Sequence, residues 1–309
     1  MAGNAFAHLS DPHLPLTPGC RPSELAGKRL LGYLSWHMGR HRRHLPQVLA
    51  ALCGDVAAHS PGHLLVTGDL VNIALPAEFA AARRWLESLG TPADVTVVPG
   101  NHDATVRLGW TAGLGRWAPW MTGDGDEAGG SAANDATDRF PVVRRRGSIG
   151  FVNLSSAVPT APLLACGRLG RAQVERAAVA LDRLRRDGLF RVVAIHHPPV
   201  PGVVGARKGL TDFTAFADML AAAGAELVVH GHCHHSNLAF LPGPQGAVPV
   251  VGVPSASAPR DSRSRHARWH LYRVSRAADG WQLSLTIRGL QPDGGCATDG
   301  GWSMRLPAA

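Results

Sequence analysis

Residues 63–72 read HLLVTGDLVN, a short apolar run, His63 to Thr67, that ends at Gly68 and opens into Asp69 and Asn72. A run this short and this rich in Leu and Val fits a buried strand. The glycine behind it permits a sharp turn, which delivers the Asp69 carboxylate directly at the strand's end. The same arrangement recurs along the chain. Ala5 to Leu9 lead into Asp11-Pro12-His13, and Val95 to Val98 into Gly100-Asn101-His102-Asp103. Arg191 to Ile195 lead into His196-His197-Pro198, and Glu226 to Val229 into Gly231-His232-Cys233-His234. Gly150 to Leu154 form one more run of this kind.

Helical spacing of apolar residues fills the intervals. It predicts helices over Leu45 to His59, Ala77 to Leu89, Arg171 to Arg186 and Thr211 to Ala223, the last with Thr211 or Asp212 as its cap. Strands alternating with helices define an α/β layered domain. From Val248 onward VPVVGV, RWHLYRV and WQLSLTI predict a closing set of antiparallel strands, with a turn near Ala278 to Gly280. Two segments depart from the rhythm. Pro15 to His44 carries GKRLLGYLSWHMGRHRRH, and Ala104 to Arg146 carries Trp110, Trp117, Trp120 and a Gly/Asp-rich stretch. Neither has the pattern of core scaffold, and each follows a strand-end motif, where loops commonly carry specificity. No internal repeat or linker is visible, so the expectation is one domain over residues 1–309 with cap-like insertions at about 15–44 and 104–146.

Composition narrows the setting without deciding the chemistry. Lys and Arg number 31 against 23 Asp and Glu, a formal charge of +8. That favours an anionic partner, although abundant Arg, Ala, Gly and Pro also fit a simple compositional bias. Cys20, Cys53, Cys166, Cys233 and Cys296 are scattered, which excludes a C-x-x-C metal site and argues against a disulfide framework. The N-terminal residues lack the pattern of a signal peptide, and no run is long enough to span a bilayer. A cytoplasmic protein is expected, with attachment at the periphery of the inner membrane as the variant.

Any one strand-end motif is weak. Five in succession are strong, because strand ends in layered α/β proteins converge on one edge. Asp, His and Asn offer oxygen and imidazole nitrogen without thiolate, a donor set for two divalent or mixed-valence ions of the Mn, Fe or Zn type. Two such ions can clamp the attacking and leaving oxygens of a phosphoryl displacement.

The order D-x-H, G-D-x-x-N, G-N-H-D, H-H-P, G-H-x-H, from Asp11 to His234, resembles the calcineurin-like metallophosphoesterase family. The resemblance implies a four-layer α/β/β/α sandwich with two mixed central sheets. It implies that Asp11, His13, Asp69 and His234 hold one metal, and that Asp69, Asn101, His196 and His232 hold the other, Asp69 bridging. A hydroxide between the metals would attack phosphorus in line. His102 resembles the family's outer histidine, which stabilises phosphoryl oxygens or protonates the leaving alkoxide, and Asp103 is expected to orient it. Asn72 and His197 are assigned to substrate contact, with a supporting position behind the ligands as the alternative for His197. Strand alternation turns Cys233 away from the metals.

The pairing of GNHD with HHPP looks most like the bacterial phosphodiesterase branch, similar to the class III cyclic-nucleotide phosphodiesterases. A small phosphodiester, a cyclic nucleotide or glycerophosphodiester, is the expected substrate. Asp103 departs from the G-N-H-E of phosphoprotein phosphatases. A second enzymatic reading is a pyrophosphatase acting on a nucleotide-diphosphate lipid. Leu30, Leu31, Leu34 and Met38 near one helical face, followed by Arg40, Arg42 and Arg43, would let residues 28–44 meet an anionic lipid or membrane surface. Nucleic acid is not expected, since no basic groove interleaved with aromatics is visible. A non-catalytic metal-bound scaffold is the reading of another class, and the intact ligand set argues against it. The Trp-bearing segment and the C-terminal strands are candidate interfaces for a homo-oligomer.

Overall fold

Every apolar run becomes a strand. In the computed structural model, which describes residues 4–17, 19–125, 139–260 and 266–307, these are β1 (Ala5–Leu9), β2 (Leu64–Val66), β3 (Val95–Val97), β5 (Ile149–Asn153), β6 (Phe190–Ala194) and β7 (Leu227–His230). The sequence-predicted strands near the C-terminus are β9 (Gly246–Gly252), β10 (Arg268–Ala277) and β11 (Gly280–Leu290). Three strands were without a sequence expectation: β4 (Val142–Arg146), β8 (Asn237–Gly243) and β12 (Cys296–Pro307).

They form two six-stranded sheets, ordered β12-β11-β10-β1-β2-β3 and β4-β5-β6-β7-β9-β8. Parallel pairing of β1, β2 and β3 in one sheet, and of β5, β6, β7 and β9 in the other, points the motif-bearing ends to common edges. The expected closing antiparallel strands are divided between the sheets: β10 to β12 close one, and β9 closes the other with β8 as its antiparallel partner. On its other side β9 pairs in parallel with β7, and its VPVV core is buried, as in an interior strand.

The sheets pack face to face through alternating side chains. Phe6 on β1 stacks on Tyr272 at 4.8 Å and meets the edge of Phe151 at 5.1 Å, while Phe190 meets Trp281 at 5.5 Å. Val192 and Ala194 face this inner layer. Their neighbours Val193 and Ile195 turn outward against helices α4 (Arg171–Arg186) and α5 (Phe213–Ala223). Helix α2 (Pro46–His59) covers the opposite outer face, over β10 to β12. The result is the four-layer α/β arrangement.

Local chemistry explains the helix starts. Both α2 and α3 (Pro76–Leu89) begin on a proline whose missing N–H would have had no helical partner. In α3 the Glu78 carboxylate then accepts the amides of Leu75 at 2.9 Å and Asn72 at 2.8 Å. Asp212 does occupy the N-cap of α5, but its carboxylate reaches back to the amides of Leu169 and Gly170 rather than capping its own helix. Among the described residues no helix is long and apolar enough to cross a membrane.

The segment 15–44 folds as a layered insertion containing α1 (Lys28–His37) and two 3-10 turns, Pro22–Leu25 and Arg40–Arg43. The segment 104–146 behaves differently from a cap. Its Gly/Asp-rich stretch at 126–138 lies outside the described residues, and part of the rest belongs to the core. Trp117 and Trp120 are buried in the main core, and Val142 to Arg146 make the edge strand β4. Trp117 lies 4.9 Å from the Phe79 ring and donates its indole N–H to the Phe79 carbonyl at 3.0 Å. Aromatic burial of this size outweighs the loop-like composition around it. Trp117→Ala is therefore expected to destabilise the protein by about 3–5 kcal/mol in guanidinium denaturation. A loss under about 1 kcal/mol would mark the segment as peripheral after all.

Candidate metal centre

The loops leaving β1, β2, β3, β6 and β7 bring all seven expected ligands together. Five of them, Asp11, His13, Asp69, His232 and His234, have left-handed backbones, with φ of 53°, 40°, 55°, 68° and 55°. Non-glycine residues held there cost about 1–3 kcal/mol each and persist only where the surroundings overdetermine them. Here backbone hydrogen bonds do so. The Asp11 amide donates to Gly68 O at 3.0 Å, the His13 amide to Asp69 O at 3.1 Å, and the His232 amide to the Asp11 carboxylate at 2.9 Å. Close approach does the rest: a Cβ on Gly100 would sit 2.3 Å from Asp69 Oδ1, so only glycine lets the two loops meet.

The donor atoms converge. His13 Nε2 lies 3.3 Å from His234 Nε2, and His234 Nε2 lies 3.2 Å from Asp11 Oδ1. On the other side His196 Nε2 is 3.4 Å from Asp69 Oδ2 and 3.2 Å from Asn101 Oδ1. Asp69 Oδ2 is also 3.8 Å from His13 Nε2, which places this carboxylate between the two groups. Donors sharing one cation at about 2.0–2.2 Å are separated by about 3–4 Å, so the spacing fits two ions. His232 Nε2 is buried without any protein partner, as a lone pair reserved for a cation would be.

Electrostatics fits the same reading. Burial lowers His13 and His232 well below the ordinary imidazole range, keeping them neutral and able to coordinate. His196 also suffers burial, but the Asp69 carboxylate outweighs it and pushes the imidazole up to about 9. Its Nδ1–H donates to Thr67 O at 2.6 Å, which aims Nε2 at Asp69 and Asn101. A cation bound there replaces the proton on Nε2, so loading the centre releases protons.

Around these donors the sequence expectations meet the structure at Asp103, His102, Asn72 and His197. Asp103 does not orient His102. Its carboxylate is buried and accepts four amides: Asp69 N (2.9 Å), Gly100 N (2.8 Å), Leu70 N (2.9 Å) and Val71 N (3.1 Å). His102 is held instead by its Nδ1–H on the Asn72 carbonyl at 2.6 Å. A carbonyl only accepts, so that ring proton sits on Nδ1. Nε2, facing the Arg40 guanidinium at 2.8 Å, accepts, and burial with Arg40 beside it brings His102 down to about 4. His102 therefore has no proton on Nε2 to give a leaving group in this arrangement. Asn72 itself is buried: its side-chain amide donates to Leu14 O at 2.6 Å, its backbone carbonyl holds His102 from behind, and its Oδ1 has no hydrogen-bond partner among the described residues. His197 is likewise buried. Ser156 Oγ lies 2.7 Å from its Nδ1, and its Nε2 lies 3.1 Å from the carbonyl of Ala165, so both ring nitrogens meet protein and the supporting position is the one it takes.

Two contributors come from the 15–44 insertion, where sequence suggested only surface roles for its basic residues. Arg40 reaches His102 and His13. His44 is buried with its ring 4.2 Å from that of His13 and Nδ1 3.0 Å from Ser257 Oγ. The spacing G-R-H-R-R-H has no periodicity that separates inward from outward side chains, so neither was visible beforehand.

A layered α/β fold with acid, amide and imidazole donors at one edge fits a metal-dependent phosphoester hydrolase. Residues 5–236 match the calcineurin-like phosphoesterase family, and the chain belongs to it. It is 32% identical over 226 residues to a probable cyclic nucleotide phosphodiesterase of a Synechococcus strain, covering 71% of this chain and 74% of that one. The fold is shared with a dimetal phosphatase from Danio rerio (TM-score 0.64, 11% identity, all of both chains). It is shared too with a purple acid phosphatase from yellow lupin seeds (TM-score 0.59, 10% identity, 98% of this chain and 53% of that one).

Two substitutions test the geometry. Asp69→Ala removes the carboxylate between the two groups and is expected to lower bound Mn²⁺, by elemental analysis, to below one ion per chain with the circular dichroism unchanged; full metal content would place the centre elsewhere. Asp103→Asn puts an N–H donor among four amide donors and is expected to destabilise the fold by about 3 kcal/mol in denaturant titration. Unchanged stability would show that these four amides do not need the charge.

Proposed function

We propose that the protein hydrolyses a small phosphodiester, of the cyclic-nucleotide or glycerophosphodiester type. The observation that carries this reading is the complete seven-residue donor set, gathered in two groups around Asp69. The similarity to a probable cyclic nucleotide phosphodiesterase supports the diester class. When two divalent cations are bound, they supply Lewis-acid charge at the phosphoryl oxygens and an activated water.

The chain's own residues set the stage for that chemistry. Burial opposes the Asp69 charge, but the protonated His196 imidazole beside it outweighs that effect and Asp69 stays ionised. The Asp69 Oδ1 oxygen accepts the His102 amide at 2.7 Å, fixing the carboxylate plane and leaving Oδ2 toward His13 and His196. Thr67 O orients His196, and Asn72 O orients His102, so both rings are positioned before substrate arrives.

A panel of a cyclic nucleotide, a glycerophosphodiester, a nucleotide-diphosphate lipid and a phosphomonoester, run with Mn²⁺-loaded protein, tests the reading. One of the first two is expected to exceed the monoester in kcat/KM by at least about tenfold, with chelation abolishing turnover and Mn²⁺ restoring it. A monoester preferred over every diester would contradict it.

A second reading, contact of residues 28–44 with an anionic lipid surface, is supported by one observation. Leu30, Leu31, Leu34 and Met38 are exposed, Met38 by 83%, beside exposed Arg42 and Arg43. Apolar anchors flanked by cations suit a membrane interface. Arg42→Glu with Arg43→Glu is expected to weaken binding to vesicles containing phosphatidylglycerol while sparing turnover of a chromogenic diester. Equal vesicle binding by the variant would remove this reading.

A further inference from the structure

Arg40 stands apart from the other sheltered arginines of this fold. Arg191 is paired with Glu226 at 2.7 Å, and Arg144 donates to the carbonyls of Thr122, Val95 and Pro119, each at 2.8 Å. Arg29 donates to the carbonyls of Ile73, Ala74 and Glu24. Arg40, by contrast, has no carboxylate or carbonyl partner among the described residues. Its contacts are imidazole nitrogens, all made through Nη2: His102 Nε2 at 2.8 Å, and His13 Nδ1 and Nε2 at 3.4 and 3.5 Å. A guanidinium has five N–H donors in a rigid fork, so Nε and Nη1 remain available.

The position is built, not incidental. Arg40 follows Gly39, whose φ of 136° admits the turn out of α1. Upstream, Lys28 Nζ donates to Thr160 Oγ1 at 2.6 Å and to Leu164 O at 2.8 Å, while Arg29 ties α1 to the loop after β2. Downstream, the Leu45 amide donates to Ser257 O at 2.8 Å. Trp36 is buried and lies near-parallel to His44, at 6° and 6.3 Å. From behind, a chain of two hydrogen bonds fixes the guanidinium: Asn72 O accepts from His102 Nδ1, and His102 Nε2 accepts from Arg40 Nη2.

Asp69 and Asp11 attract the Arg40 guanidinium from a distance without accepting a hydrogen bond from it, and with two cations on those carboxylates a phosphoryl oxygen is the acceptor that would meet its remaining N–H groups. We propose that Arg40 donates, through its free N–H groups, to a non-bridging oxygen of the phosphoryl group under attack, and that His102 is the residue that positions it. This rests on the phosphate-ester reading above. It gives the insertion at 15–44 a role inside the site: it carries the guanidinium that meets the charge gathering on phosphorus oxygens as the ester bond breaks.

The test compares Mn²⁺-loaded wild type, Arg40→Ala, Arg40→Lys and His102→Ala. Each is measured for metal content, for inorganic phosphate affinity by calorimetry, and for kcat/KM on bis(p-nitrophenyl) phosphate. Arg40→Ala is expected to keep its metal and lose phosphate affinity by at least about tenfold, with a larger fall in kcat/KM. Arg40→Lys, a charge without the fork, should recover part of both, and His102→Ala should weaken phosphate binding as well. Phosphate affinity within about twofold of wild type in Arg40→Ala overturns the assignment. So does wild-type protein that binds no phosphate, or loss of metal in both Arg40 variants, which would make Arg40 structural. If wild type cleaves no diester but Arg40→Ala still loses phosphate, the diester reading fails and the role of Arg40 stands.

Discussion

The Asp103 carboxylate sits under the metal-ligand loops and accepts amides from two of them, the loop after β2 at Asp69, Leu70 and Val71, and its own loop at Gly100. Burial and the nearby Asp69 charge push Asp103 up to about 7, while the amide donors favour its ionised form. What these bonds achieve is geometric. They hold the Asp69 backbone at a φ of 55°, a strained conformation for a residue with a side chain, and they keep the loops so close that a Cβ on Gly100 would meet the Asp69 carboxylate. The shared carboxylate, and both groups of donors around it, depend on that clamp.

From this clamp the roles at the site divide by depth. Donor atoms of Asp11, His13, Asp69, Asn101, His196, His232 and His234 face one another. Behind them backbone carbonyls of Thr67 and Asn72 fix the tautomers of His196 and His102, and Ser156 with Ala165 occupies His197. In front, the 15–44 insertion supplies Arg40 and His44. Positioned dipoles and charges of this kind stabilise developing charge without reorganising when it appears.

Sequence brought out the donor residues because each follows a short apolar run that reads as a strand, and parallel strands deliver their ends to one edge. It revealed less wherever a side chain's partner depends on the three-dimensional path of a loop. Asp103 is adjacent to His102 in the chain, yet the carboxylate turns under the loops while the imidazole turns to Asn72. Leu114, Trp117, Trp120 and Met121 recur at helical spacing, a signal obscured by the Gly, Pro and Asp around them, and they form a 3-10 helix whose tryptophans fill the core under α3. β9 was legible as a strand but not as a parallel partner of β7, since its apolar run is compatible with either sheet. Arg40 is one of several arginines in a basic stretch, and nothing local distinguishes it from its exposed neighbours Arg42 and Arg43.

The central claim is that two cations share Asp69. Anomalous diffraction from crystals of Mn²⁺-loaded protein, collected at the manganese edge, tests it most directly. Two peaks about 3.5–4 Å apart are predicted. One should lie among Asp11, His13, Asp69 and His234, and the other among Asp69, Asn101, His196 and His232. A single peak, or peaks that do not both contact Asp69, would contradict it.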